Sequence, residues 1–170
     1  MEIKFTTEEA LDIFHTALCN GLSSIGNYGL ELDYSQSDYV EAKKSLHFKD
    51  ANAALCYEDI LVEILRIGKT LTMVDNENDE EEKAVNLLDV VSRMSKVPLV
   101  SLSNILNETD DADDADAVIQ TIFYGEIIFG WKISRWFNFI AWKELSGLIT
   151  VRMSAKEIGI NYRICKKTCS

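Results

Sequence analysis

Six acidic side chains, Glu108, Asp110, Asp111, Asp113, Asp114 and Asp116, fill nine consecutive positions of "ETDDADDAD". Carboxylates this dense have three chemical uses. They can ligate a hard divalent cation through oxygen. They can imitate nucleic-acid phosphates, which place one charge per ~1.7 Å of duplex axis. They can also open a helix, where the macrodipole favours an exposed anion by ~0.3–1 kcal/mol. A second acidic cluster, Asp75, Glu77, Asp79, Glu80, Glu81 and Glu82, lies upstream.

The cation use fails a spacing test. A calcium loop beginning at Asp75 offers Asp75, Glu77 and Asp79 as ligands, but it puts Glu80 where glycine is required and Asn86 where the bidentate glutamate belongs. A loop beginning at Asp111 reaches Ala115 at its third ligand position. Cys165 and Cys169 are four apart and suit one helical face, yet zinc needs two more ligands. His15 and His47 are remote from them in sequence. No metal or other cofactor is therefore expected, and Cys19, Cys56, Cys165 and Cys169 read as reduced thiols.

Catalytic signatures are absent as well. No GxSxG, GxxxxGK[ST], GxGxxG or HExxH occurs. His15 follows Phe14 and His47 precedes Phe48, and no serine or cysteine stands in a nucleophile-elbow context. The 28 acids offer too many pairs to rank as a general acid and base. A non-enzymatic binding protein is the leading expectation. A divalent-metal-dependent enzyme using clustered carboxylates is an alternative.

Charge is the strongest global signal. The chain carries −11, but residues 1–116 hold 25 acids and 9 bases, and residues 117–170 hold 3 acids and 8 bases. No Lys or Arg falls between Lys96 and Lys132, so the acidic run has no local counter-charge. Repulsion at i,i+3 and i,i+4 costs stability, so the surplus calls for a basic partner or for the chain's own basic end. On a helix rising ~1.5 Å per residue, Glu108, Asp110, Asp113 and Asp114 form a phosphate-like row. The expected partner-binding face is Asp75, Glu77, Asp79, Glu80, Glu81, Glu82, Glu108, Asp110, Asp111, Asp113 and Asp114. Its expected partner is a basic protein, including one that itself binds nucleic acid. The net charge argues against direct nucleic-acid binding. Trp131, Trp136 and Phe137 suit an interface, which leaves a homo-oligomeric or minor structural component as a second reading.

Thr6 and Glu9 form a capping-box pattern that starts a helix, with Leu11, Phe14, Leu18 and Leu22 as its apolar stripe and Gly21 as its stop. A short strand is expected at Leu30–Tyr34 and a helix from Ser37. Another helix is expected from about Asp50 to Gly68. "KTLTMVD" and "KAVNLLDV" predict an antiparallel hairpin over about 70–88 with an acidic tip. A helix follows from about Asp89 to Pro98, then a short one in "SLSNILNE". The apolar stretch after the acidic run predicts a central buried helix. "GLITVRMS" and "NYRICKKTC" are candidate C-terminal strands. The sum is an α+β chain, mostly helical, in one domain over 1–170. No apolar run reaches the ~18–20 residues of a membrane span, and the N-terminus lacks a signal-peptide pattern, so a cytoplasmic protein without membrane contact is expected.

The stretches "ALCNGL", "CYEDILVEILRIGKTL" and "DADAVIQTIFYGEIIFG" resemble parts of short proteins encoded by tailed bacteriophages, over roughly residues 10–130. They share no functional motif. The resemblance implies a viral gene and carries over no fold, activity or site. With the charge pattern, it frames the expectation as a phage accessory protein acting in the host cytoplasm. Its acidic face would dock on a basic host protein, as a nucleic-acid-mimicking inhibitor of a defence system does (an anti-CRISPR protein, for example).

Overall fold

The capping box closes as the sequence predicts. Thr6 N–H donates to Glu9 Oε2 at 2.8 Å, and Glu9 N–H donates to Thr6 Oγ1 at 3.3 Å. It opens α1 (Thr7–Ile25). These bonds belong to a computed structural model that describes residues 4–50, 54–76 and 82–129. Five more helices and one sheet follow among the described residues: β1 (Leu30–Asp33), α2 (Gln36–Lys49), α3 (Tyr57–Arg66), β2 (Leu71–Asp75), β3 (Lys83–Val85), α4 (Leu87–Met94), α5 (Leu99–Leu106) and α6 (Ala112–Tyr124). The α+β, mostly helical architecture matches the sequence reading.

α6 is the centre. Every residue from Asp114 to Phe123 is buried, as its nearly all-apolar composition predicts. α1 packs along it, with Phe14 and Phe123 tilted together at a ring separation of 6.4 Å. Each fully buried side chain of this size contributes ~1.5–3 kcal/mol. The expected stop at Gly21 is corrected by this packing. Gly21 is buried and helical, and α1 runs on to Ile25. A Cβ at Gly21 would lie 2.9 Å from Ile119 Cδ1 and 3.0 Å from Ala115 Cβ, so the missing side chain lets α6 approach. The chain turns instead at Gly29, whose φ of 74° suits glycine.

The predicted hairpin forms between β2 and β3, with Leu71 opposite Val85. It gains a third strand, because β1 pairs antiparallel with β2 and puts Leu30 opposite Asp75. Three helix starts move from their expected positions. α2 begins at Gln36 behind Ser35. α4 begins at Leu87, because Asn86 Oδ1 accepts from the Leu88 and Asp89 N–H groups at 2.8 and 3.1 Å. α3 begins at Tyr57, while Asp50 closes α2 by donating its N–H to Leu46 O. The end of α6 is held from α4: Arg93 Nη1 donates to Ile122 O at 2.6 Å and to Phe123 O at 3.1 Å. A cation at a helix C-terminus satisfies carbonyls that have no partner within the helix.

No helix among the described residues is long and apolar enough to cross a membrane. Trp131, Trp136, Phe137, Cys165, Cys169 and the two candidate C-terminal strands lie outside the described residues.

Candidate functional site

The acidic run divides by direction. Asp111 caps α6, its Oδ1 accepting from the Asp113 and Asp114 N–H groups at 3.0 Å each. Asp110 accepts from Asn20 Nδ2 at 2.8 Å and so pins the turn to α1. Asp114 is buried and accepts from Asn104 Nδ2 at 2.7 Å. Asp116 is 3 % exposed and accepts on Oδ2 from Gln120 Nε2 at 2.7 Å and Tyr28 Oη at 3.2 Å. Its Oδ1 has no partner among the described residues. Burial pushes the Asp116 carboxyl above the usual carboxylate range. Glu108, at a left-handed φ of 56°, and Asp113 are exposed. The outward charge of the run therefore comes from Glu108, Asp111 and Asp113, with Asp114 turned inward.

The end of β2 and the start of α6 both reach one turn. Asn76 N–H, at the end of β2, donates to Gly29 O at 3.0 Å. One residue earlier, Tyr28 reaches Asp116. Burial comes first, then the charges of Asp116 and Asp113, in raising the Tyr28 phenol. Asp75 of β2 pairs with Leu30, and the charge of Asp113 of α6 reaches Tyr28. β1 adds Glu31 and Asp33, both exposed by its alternation, and Glu82 is exposed before β3. Glu77, Asp79, Glu80 and Glu81 lie outside the described residues.

A third constellation was not singled out by the sequence reading. His15 and Cys19 stand one turn apart on α1, and Cys56 and Asp59 hold the N-cap and third positions of α3. His15 Nε2 and Asp59 Oδ1 are 2.9 Å apart. Cys19 Sγ lies 3.9 Å and Cys56 Sγ 4.0 Å from the same nitrogen. Donor atoms of His15, Cys56 and Asp59 all fall within 4.8 Å of one another, so these residues can hold a metal. Desolvation, joined by the carboxylate of Asp59, pushes the Cys56 thiol up to about 11, and desolvation raises Cys19 too. Thiols held protonated are poor nucleophiles. Against its own desolvation, hydrogen bonds from Cys56 and the neighbouring His15 keep Asp59 below the usual carboxylate range. The signal in the sequence was the pair of short spacings, His15-x3-Cys19 and Cys56-x2-Asp59.

α2 presents the opposite character. Phe48 is 94 % exposed and shares a shallow depression with Val40, Lys43, Lys44 and His47. Beneath it, buried Glu63 ties α3 to α2 by accepting from Ser45 Oγ at 2.6 Å and Lys49 Nζ at 2.7 Å. No protein-family model matches the chain, and neither does a curated protein or a solved structure.

Proposed function

We propose that the protein is a non-enzymatic binding protein whose acidic face docks on a basic surface of another macromolecule. The observation that supports this reading best is that Asn76, at the end of β2, and Asp116 of α6 both bond to the turn at Tyr28 and Gly29. The packed α6 beneath holds Asp111 and Asp113 at fixed positions, so little ordering entropy is lost when they are engaged. Clustered carboxylates steer a cationic partner and speed its association at low salt. The fitting partner is a host protein that binds nucleic acid, with the chain standing in for phosphates as an inhibitor encoded by a phage. A heterologous contact between copies is the second reading. It is favoured by the exposed Phe48 among Lys43, Lys44 and His47, which offers a cationic, apolar counterpart to the acidic face.

The test is capture of proteins from bacterial lysate by the wild type and by a variant carrying E80Q, E81Q, E82Q, E108Q and D113N. Of these, Glu82, Glu108 and Asp113 are exposed. A protein held at low salt by the wild type, lost by the variant and released by duplex DNA supports docking. Equal capture by the variant, or capture indifferent to DNA, refutes it. Light scattering of the chain alone reads the second reading directly.

A further inference from the structure

We infer that His15, Cys56 and Asp59 form a three-ligand zinc site that ties α1 to the start of α3. The donor geometry carries this. In a tetrahedral site with bonds of ~2.0–2.3 Å, donor atoms stand about 3.3–3.8 Å apart. Here Asp59 Oδ1 stands 2.9 Å and Cys56 Sγ 4.0 Å from His15 Nε2, and the three donors all lie within 4.8 Å of one another. The two separations from Nε2 are each about 0.5 Å or less from the tetrahedral value. Replacing the proton between Nε2 and Oδ1 by a cation opens the short edge, and ligation shortens the sulfur edge.

A thiol and an imidazole are the wrong set for calcium or magnesium, which take oxygen, and the right set for zinc. His15 comes from α1, and Cys56 and Asp59 from the N-cap and first turn of α3. The local fold also supplies an outer shell. Asp59 Oδ2 accepts from the Cys56 N–H at 2.9 Å, so one carboxylate caps α3 and aims its other oxygen at the site. Cys56 is exposed, which gives an ion a direct path. One thiolate and one carboxylate balance a divalent cation. Three protein ligands leave the fourth position to water. The bound ion would cross-link residues 41 apart in sequence and fix the chain between α1 and α3.

The experiment is titration of the reduced full chain with Co(II), a spectroscopic stand-in for zinc, followed by displacement with Zn(II). The variants are C56S, H15A and the double variant C165S/C169S. Serine is a good N-cap, so C56S keeps the start of α3, and circular dichroism without metal checks each fold. The expected result is one Co(II) per chain, with thiolate charge-transfer absorption and tetrahedral bands. C165S/C169S leaves the spectrum unchanged. C56S and H15A each weaken binding at least ~100-fold, the upper end of what even an outer-shell change costs. Zn(II) raises the melting temperature of the wild type and not of C56S. Absence of thiolate absorption in the wild type overturns the assignment. So does an unchanged spectrum in C56S, or its loss in C165S/C169S.

Discussion

Replacing Gly21 by alanine sets two physical effects against each other. Helix propensity favours alanine over an interior glycine by ~0.8–1.0 kcal/mol. Packing opposes it. The new Cβ would stand 2.9 Å from Ile119 Cδ1, 3.0 Å from Ala115 Cβ and 3.2 Å from the Ala115 carbonyl carbon. The first atom ends a flexible side chain and can swing away, but the last is backbone. Moving α6 by a few tenths of an ångström disturbs a helix buried on every side. Overpacking of this kind costs ~1–3 kcal/mol, so the net expectation is a loss of ~0–2 kcal/mol. In a chain of this size that lowers the melting temperature by up to ~8 °C. The assay is a double-mutant cycle with Ile119→Val, which removes Cδ1, read by urea unfolding at constant m-value. Ile119→Val alone costs ~0.5–1.5 kcal/mol. The double variant should lose less than the sum of the singles, because part of the clash has gone. A Gly21→Ala variant stabilised by the full ~1 kcal/mol would refute close packing of α1 on α6.

Other expectations test how the acids divide between structure and surface. Asp116→Asn keeps an acceptor for Tyr28 and Gln120 and removes a desolvated charge. Folding raises this carboxyl's pKa, so the penalty is absent below about pH 3.8 and grows as pH climbs through the raised folded value. The variant should therefore gain stability relative to wild type at neutral pH and lose that gain by pH 3.5, read by melting temperature against pH. Asp111→Ala removes the cap of α6 and should cost ~0.5–2 kcal/mol, with faster amide exchange at Asp113 and Asp114. Lys49→Met strands the buried Glu63 with Ser45 alone. The cost by urea titration should be ~1–3 kcal/mol, below that of a fully buried pair because Lys49 is 57 % exposed.

Local signals were read well from the sequence, and those that depend on distant packing were not. The Thr6–Glu9 box, the β2–β3 hairpin and the buried α6 follow from residues close in the chain. Gly21 looks like a stop because glycine often ends helices, yet its role is set by Ala115 and Ile119 across the core. The acidic surplus looks larger in sequence than in space. Asp116 answers Tyr28 from 88 residues away, and Asp110 answers Asn20 from 90. The His15 cluster was hidden by one misplaced boundary. With α3 begun at Asp50, Cys56 and Asp59 read as mid-helix residues rather than as a cap facing α1.

The most direct measurement of the docking proposal is the affinity for a captured basic partner as a function of salt, repeated with duplex DNA present. Acidic-face docking predicts affinity that falls steeply as salt rises, and strict competition with DNA for one site on the partner. Affinity that is flat with salt, or a ternary complex of chain, partner and DNA, would contradict it.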